Sequence, residues 1–205
     1  MHAFAAAPAT SANDQRYLAT LRTHWKANKS FPSLAKLADL LGMSSTGSVF
    51  EMVARLEEVG YLTRKDGRVA PGKRFFAYPV LGTVRAGVPQ AASDDEFEFL
   101  SVEELLIREP NKTAMCHVRG DSMKDAGLLD GDVVIVETHS IVEPGDIVVA
   151  AVDGQLTVKY LRKTRDGAYY LDPANTAYEP IHPRTSLDIV GLVTGSFRTL
   201  KKQRR

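Results

Sequence analysis

Residues 32–60 read PSLAKLADLLGMSSTGSVFEMVARLEEVG, and this stretch decides the fold of the front of the chain. Apolar residues recur at helical spacing twice, at positions 34, 37, 40 and 41 and again at 49, 52, 53 and 56. Ser33 is the predicted N-cap of the first helix and Ser45 or Thr46 that of the second, because a hydroxyl can accept from an unpaired amide of the first turn. Gly42-Met43-Ser44 joins the helices in a short turn with a glycine, which is typical of a helix-turn-helix.

A further helix and a hairpin flank this pair. After a polar Asn13-Asp14 start, apolar side chains again follow helical spacing, at Tyr17, Leu18, Leu21 and Trp25. Downstream, Asp66-Gly67 lies between two short β-prone runs, which predicts a β-hairpin. The hairpin is basic, and a basic hairpin after a helix-turn-helix is a wing whose cations can reach phosphate.

The last helix of the pair is expected to lie in the major groove of DNA. Glu51 is predicted to accept a hydrogen bond from a cytosine amino group, and Arg55 to reach phosphate. Phe50 either touches thymine methyl groups or packs against the wing. The other predicted DNA contacts are Ser44, Ser45, Thr46, Gly47 and Ser48 at the start of this helix, and Arg64, Lys65 and Arg68 in the wing. The alternative for the front half is a helical protein-interaction domain.

The charge composition differs between the front and the back half of the chain, which indicates different functions for the two. The 205 residues carry a formal net charge of +1, but residues 1–75 hold 11 Lys+Arg against 6 Asp+Glu, and residues 76–205 hold 15 against 19. A front half of +5 and a back half of −4 favour nucleic acid as partner of the front only. Cys116 is the single cysteine, so no internal disulfide is possible, and no apolar run approaches the roughly 18 residues of a membrane helix. We expect a cytoplasmic protein without membrane contact.

The back half consists of short β-prone runs separated by Asp-Gly and Pro-Gly turns. The predicted strands are Val80–Arg85, Ala114–Arg119, Val133–Val136, Ile147–Val152, Leu156–Arg162, Ala168–Leu171 and Ile189–Thr194. The fold class is therefore a two-domain α+β protein with an N-terminal winged helix-turn-helix and a C-terminal, mostly-β domain. The predicted boundaries are a flexible tail at 1–12, the winged domain at 13–70, a linker at 71–78, the β-rich domain at 79–200 and a basic tail at 201–205.

Ser122 and Lys159 are candidates for a nucleophile and its base. A serine hydroxyl is a weak nucleophile without a base, and a lysine serves only when neutral, which burial among apolar neighbours favours. Lys159 lies in the strand-like run 156–161, and Ser122 follows Gly120, where the backbone can bend tightly. The amides of Asp121 and Ser122 are then a predicted oxyanion hole. Taken by itself, a serine near a glycine is also typical of a turn, and a strand lysine of an edge residue that reaches solvent.

Other catalytic chemistry has less support in the sequence. Cys116 alternates with Ala114 and Val118 in a strand pattern, which favours the core. His117 is an alternative base for Ser122. The five histidines show no metal spacing, and neither common glycine-rich phosphate loop is present, so we expect no metal and no cofactor.

Residues 118–132, VRGDSMKDAGLLDGD, resemble the LexA-type repressor family of self-cleaving Ser-Lys peptidases. Four other segments resemble the same family in the same order: the winged domain at 13–69, the cleavage segment at 81–87, the lysine strand at 157–159 and a strand and loop at 171–181. The resemblance covers nearly the whole chain beyond the first dozen residues.

The resemblance implies a role for each of these segments. Ser122 would be the nucleophile, Lys159 the general base, and the bond between Ala86 and Gly87 the one that is cut. It implies a homodimeric repressor of DNA-damage (SOS) response genes on double-stranded operator DNA. It also implies a trigger, the RecA filament on single-stranded DNA, which favours the cleaving conformation.

Two features depart from the family pattern. Arg85 stands before the cleaved pair where a small residue is common, and an arginine entering an apolar cleft costs desolvation unless it is paired. We expect Arg85 to tune the cleavage rate or to select a carboxylate partner. Gly47 and Phe50 stand in the recognition helix where well-known members have Asn and Glu, so a different operator is expected. The alternatives are a phage-type repressor of the same peptidase family and a ligand-controlled repressor with an inactive dyad.

Overall fold

The computed structural model describes residues 10–80 and 98–200. The chain divides into two compact units, one ending at Val102 and the other beginning at Glu103. Of the predicted strand Val80–Arg85 only Val80 is described, whereas residues 81–85, the Ala86-Gly87 pair and the basic tail at 201–205 lie outside the described residues.

Three helices form the front of the first unit, and their bounds are α1 Ala12–Asn28, α2 Leu34–Leu41 and α3 Thr46–Glu58. α1 begins one residue before the predicted polar start, because Ser11 and Asp14 form a reciprocal capping box. Ser33 is the N-cap residue of α2 as predicted, but its side chain makes no capping hydrogen bond. Ser45 caps α3 and accepts from the Ser48 amide at 3.2 Å. Gly42 ends α2 with a φ of 65°, a left-handed conformation that glycine adopts readily.

The wing is an antiparallel hairpin of β1 Leu62–Lys65 and β2 Arg68–Pro71. Asp66 and Gly67 connect the strands with φ values of 52° and 73°, the positive values that a two-residue hairpin turn of this kind requires. The predicted winged helix-turn-helix architecture is confirmed.

The core of the first unit extends beyond the predicted winged domain. Leu21, Leu37, Met52 and Val53 are fully buried between the three helices, and so is Phe75, which lies in the predicted linker. Phe75 forms an aromatic cluster with Trp25 and Phe31. Segment 72–77 is therefore packed against the helices.

A separate two-stranded sheet follows, of β3 Tyr78–Val80 and β4 Glu98–Leu100. It belongs to the first unit, because Phe99 packs against the helical core and contacts the Tyr61 ring. The compact unit thus ends at Val102, whereas the sequence predicts a linker at 71–78 and the start of the β-rich domain at 79.

The second unit is built on a six-stranded antiparallel sheet with the order β5-β6-β10-β7-β8-β9. A short helix, α4 Val102–Leu106, leads into it, and single 3₁₀ turns lie at Pro110–Lys112 and Lys124–Ala126. The strands are β5 Thr113–His117, β6 Val133–Thr138, β7 Ile147–Val152, β8 Gln155–Lys163, β9 Tyr169–Asp172 and β10 Leu187–Phe197.

The sheet is covered on both faces, as its central strand β7 shows. Val148, Ala150 and Val152 belong to one hydrophobic cluster, whereas Val149 belongs to another and Ile147 packs against it. This alternation follows from the two-residue period of a strand. The near-continuous apolar sequence of β7 is thus explained by burial on both sides.

Candidate functional site

Ser122 lies in the loop that leaves the edge strand β5. Gly120 bends this loop with a φ of 84°, and its amide donates to Asp130 Oδ1 at 2.8 Å. Met123, the next residue, is 1% exposed and anchors the loop in a hydrophobic cluster of the second unit. The predicted bend at Gly120 is confirmed, and it leaves the Ser122 side chain only partly buried.

Lys159 lies near the middle of β8, opposite Val148 of β7. Its side chain is 6% exposed. The Nζ atom lies 2.8 Å from Ser122 Oγ, 2.9 Å from Thr157 Oγ1 and 2.8 Å from the Val158 carbonyl oxygen. The structure therefore brings together the serine and the lysine that the sequence singled out, across 37 positions of the chain.

Burial lowers the pKa of Lys159 from its ordinary value of 10.5, because desolvation disfavours the ammonium form. A neutral amine has two N–H donors and one lone pair. The Val158 carbonyl and the Thr157 hydroxyl can take the two donors, which leaves the lone pair directed at Ser122 Oγ. This arrangement suits proton transfer from the serine to the lysine.

The pair lies in a cleft of about 310 Å³. Its lining is mostly apolar but also includes His117 and Arg119, and it is made by residues 116–119, 122, 134, 149 and 156–159. No Asp or Glu is among these lining residues. The described part of the cleft thus offers no carboxylate as a partner for Arg85, which itself lies outside the described residues.

Asp121, the neighbour of Ser122, is braced by the loop that follows β9. The Tyr178 hydroxyl donates to Asp121 Oδ1 at 2.5 Å, and the Asn175 side-chain amide donates to the Asp121 carbonyl oxygen at 3.1 Å. The hydrogen bond from Tyr178 is the main reason why the pKa of Asp121 is lowered, and the backbone amide of Asp121 contributes as well. Asp121, whose backbone carries one of the two predicted oxyanion donors, is therefore held by two side chains of this loop.

A second brace holds the far end of the serine loop. Asp132 is 1% exposed and accepts hydrogen bonds from the Leu129 amide and from the guanidinium of Arg198, just after β10. Arg198 also donates to the Gly127 carbonyl oxygen at 3.4 Å. The pKa of Asp132 is lowered chiefly by Arg198. The loop from β5 to β6 is thus fixed at both ends by side chains that are distant in the sequence and follow β9 and β10.

The other candidate nucleophile and base take no comparable position. Cys116 is partly buried and packs against the cluster that contains Met123, as its strand pattern predicted. His117 is exposed, and in the described part of the chain it is Lys159 Nζ that lies within hydrogen-bond distance of Ser122 Oγ. Across residues 10–80 and 98–200, no group of three or more His, Cys, Asp or Glu could hold a metal ion. Within the same ranges, none of the helices has the length and apolar character that crossing a membrane requires.

The predicted DNA-contacting residues lie at the start of α3, further along the same helix and in the wing. Ser44, Ser45, Thr46, Gly47 and Glu51 are exposed, and Ser48 is partly exposed. In the wing, Lys65 and Arg68 are exposed and lie opposite each other in the hairpin register. All of these residues except Ser48 are therefore exposed to solvent rather than part of the core.

Two of the predicted DNA-contacting arginines have partners within the protein. Arg55 donates to Asp14 at 2.9 Å and so connects α3 to α1. The Arg64 guanidinium lies over the Phe50 ring, 5.4 Å from its centroid, and the Arg64 backbone amide donates to Glu57 Oε1 at 3.0 Å. Phe50 is thus in contact with the wing, and 47% of its surface remains exposed.

Sequence reasoning missed the braces around Ser122. Asn175, Tyr178 and Arg198 lie far from Ser122 in the sequence, and no short motif connects them to it. Asn175 and Tyr178 fall within the segment 171–181 that carries the family resemblance. The resemblance marks this segment as relevant to function but does not indicate that it contacts Asp121. Thr157 likewise stands two residues before Lys159, where the alternation of a strand brings two side chains to one face.

Comparisons with known proteins agree with this geometry. Residues 79–194 match the Peptidase S24-like family. The LexA repressor of Carboxydothermus hydrogenoformans is 32% identical over 198 residues, which covers 92% of this chain and 96% of the relative. The LexA repressor of Alcanivorax borkumensis is 35% identical over 193 residues, which covers 90% and 93%. The chain therefore belongs to the LexA repressor family and carries the S24-like peptidase region between residues 79 and 194.

Proposed function

We propose that this protein represses DNA-damage (SOS) response genes and inactivates itself by cutting its own chain between Ala86 and Gly87. It binds operator DNA as a homodimer, Ser122 is the nucleophile, and Lys159 is the general base. The single observation that carries the cleavage chemistry is the 2.8 Å separation of Lys159 Nζ and Ser122 Oγ, with the lysine 6% exposed. The relatives are named LexA repressors, which supports a repressor of the LexA type.

The proposed reaction is an acyl transfer followed by hydrolysis. Neutral Lys159 accepts the proton of Ser122 as Oγ bonds to the carbonyl carbon of Ala86. The C–N bond to Gly87 breaks, and the Lys159 ammonium returns the proton to the leaving amine. A water molecule then hydrolyses the Ser122–Ala86 ester and regenerates the serine. The amides of Asp121 and Ser122 are the proposed donors to the oxyanion.

The braces of the serine loop support this assignment of roles. An oxyanion site works when its donors are held in place before the reaction, so that no reorganisation is needed in the transition state. Asn175 and Tyr178 hold Asp121, and Arg198 holds Asp132 at the other end of the loop. The backbone between these points carries Ser122.

Repression is proposed to depend on linking two DNA-binding units. A homodimer places two recognition helices on the half-sites of a palindrome, and the second contact gains from the high local concentration that the first one creates. Cutting at Ala86-Gly87 separates the unit that carries α3 from the dimer without changing any base contact. The RecA filament on single-stranded DNA is the proposed trigger, and it acts by preferring the conformation in which the bond lies over Ser122.

Mass spectrometry tests the proposed bond directly. The purified protein is incubated with RecA, an ATP analogue and single-stranded DNA, and the products are weighed. Fragments that end at Ala86 and begin at Gly87 are expected. Fragments with any other ends would refute the proposed site.

Three variants test the roles of the two side chains. Ser122→Ala and Lys159→Ala are each expected to lower the cleavage rate by more than about a hundred-fold, because nucleophile and base act as one unit. Lys163→Ala is the matched control, since Lys163 lies on the same strand but is exposed. A Lys159→Ala protein that is cut at the rate of Lys163→Ala would remove Lys159 from the mechanism.

Footprinting tests the repressor part of the proposal. Intact protein is expected to protect a palindromic site, and the same protein after cleavage to bind that site far more weakly. Equal affinity of the intact and the cleaved protein would contradict the role of dimerisation in repression.

A further inference from the structure

A segment on the far side of the proposed cut packs into the DNA-binding unit. Phe99 of β4 is partly buried against the helical core. Its ring centroid lies 6.3 Å from that of Tyr61, which is 6% exposed, and 5.1 Å from the guanidinium carbon of Arg74. Edge-to-face aromatic pairs and cations over an aromatic ring are both attractive, so Phe99 is an anchor for this segment.

The backbone of the same segment is held as well. β4 pairs with β3 in the register Tyr78↔Leu100, Pro79↔Phe99 and Val80↔Glu98. These strands form their own sheet, separate from the six-stranded sheet of the second unit. β3 in turn contacts α1, because the Arg22 guanidinium lies 5.9 Å from the Tyr78 ring centroid. Arg22 Nε also donates to the carbonyl oxygen of Phe75, just before β3, at 2.8 Å.

The proposed cut falls between these two strands in the sequence. After it, β3 stays with the fragment 1–86, whereas β4 and Phe99 go with the fragment 87–205. We propose that β4 is a docking segment by which the C-terminal fragment remains bound to the DNA-binding fragment after the peptide bond has been broken. This inference rests on the proposed function for the position of the cut, but the contacts themselves do not depend on how the bond is broken.

The size of the contact sets its strength. A contact of three paired positions and one aromatic ring buries far less surface than the roughly 1,200–2,000 Å² that stable interfaces bury in total. The tie is therefore reversible, and the fragments separate on dilution. Cleavage of the peptide bond and dissociation of the two fragments are then separate steps. The rate at which the repressor leaves DNA depends in part on how fast β4 dissociates from the DNA-binding fragment.

The test uses a protein that is cut by an added protease and not by its own proposed peptidase site. A recognition sequence for a site-specific protease is inserted after Gly87 in the full-length Ser122→Ala protein, and the purified protein is nicked completely. Analytical ultracentrifugation over a series of dilutions then measures the dissociation constant of the two fragments. The fragments are expected to sediment together at the highest concentrations and separately on dilution.

Phe99→Ala tests the anchor. This variant is expected to raise the dissociation constant by about ten-fold or more, since one well-packed aromatic contact is worth about that factor. Leu105→Ala is the matched control, because Leu105 is an apolar residue of the same fragment that is 59% exposed. Arg74→Met removes the cation from the other fragment and is expected to act in the same direction. Circular dichroism of the uncut variants shows that each one folds.

Two outcomes would overturn the inference. Fragments of the nicked protein that sediment separately at every concentration would show that β4 does not hold them. Equal dissociation constants for Phe99→Ala, Arg74→Met and Leu105→Ala would show that any association has another origin. Self-cleavage of the wild-type chain is measured separately. If the nicked fragments stay together but the wild type is never cut, the proposed function is refuted and the association through β4 is still supported.

Discussion

Raising the pH should accelerate cleavage of the purified protein without any activator, because the proposed base, Lys159, would have to lose a proton before it could accept one from Ser122. The perturbation is a pH series from about 7 to 10.5 at constant ionic strength. The rate is expected to rise with the neutral fraction of Lys159 and to level off above its pKa.

The expected size follows from the burial of the lysine. A lysine with the ordinary pKa of 10.5 is neutral in only about one molecule in a thousand at pH 7.5, and each unit of lowering raises that fraction about ten-fold. Desolvation of Lys159, which is 6% exposed, lowers the pKa. The midpoint of the rate profile should therefore lie below 10.5, with about a ten-fold decrease in rate per pH unit on its acidic side.

Stability changes in the same direction over this range. The unfolded chain holds its lysine proton up to about pH 10.5, whereas folded Lys159 releases it at a lower pH. The unfolded state thus binds more protons between these two values, and the free energy of unfolding rises with pH through that window on account of this group. A faster reaction at alkaline pH is therefore not a sign that Lys159 loosens the fold.

The assay is a time course on denaturing gels, with mass spectrometry of the products and circular dichroism at each pH. Lys163→Ala should give the wild-type profile, and Lys159→Ala should lose both the rate and its dependence on pH. A midpoint at or above 10.5 would contradict the effect of burial. A profile that Lys159→Ala leaves unchanged would refute the assignment of the base.

Three further predictions concern stability. Phe75→Ala should lower the free energy of unfolding by about 3–5 kcal/mol in denaturant titrations, because its ring is fully buried, whereas Phe76→Ala, at 44% exposure, should cost far less. Gly191→Ala should cost about 1–3 kcal/mol in the same assay, since a Cβ there would meet the backbone of β6, and Gly195→Ala, where nothing lies nearer than 3.7 Å, should be tolerated. Burial raises the pKa of Asp14, but hydrogen bonds from Arg55 and Ser11, with the charge of Arg55, outweigh burial and lower it. Asp14 therefore stabilises the fold above about pH 4, and this contribution is lost as the pH falls. Asp14→Asn should weaken the loss of stability at acid pH, and an unchanged acid dependence would contradict these contacts.

Local patterns were sufficient for most of the secondary structure. Ile147–Val152 was predicted as a strand with the bounds that β7 has, because β-branched residues in an apolar run and flanking turns act within a few residues. The wing was predicted from Asp66-Gly67, because the positive φ values of the turn select those residue types. The capping hydrogen bond expected of Ser33 was wrong, since the side-chain rotamer depends on neighbours that a local pattern does not specify.

The end of the first unit could not be predicted from local patterns. Phe75 was assigned to a linker because Pro71-Gly72 marks a break, yet it is fully buried against Trp25 and Phe31. Phe99 joins the same core from the other side of residues 81–97. Burial of this kind is decided by residues that are distant in sequence, so neither periodicity nor composition reports it.

The sequence by itself determined the winged helix-turn-helix, and its motifs singled out the Ala86-Gly87 pair, Ser122 and Lys159, in that order, as the residues of the proposed chemistry. These features are local, because helix spacing, turn residues and motifs are written within short stretches. Only the tertiary structure decided that Lys159 is desolvated, that its Nζ lies 2.8 Å from Ser122 Oγ, and that Asn175, Tyr178 and Arg198 brace the serine loop. The physical reason is that a pKa and a hydrogen bond depend on what surrounds a group in space, and those neighbours come from strands that the fold alone brings together.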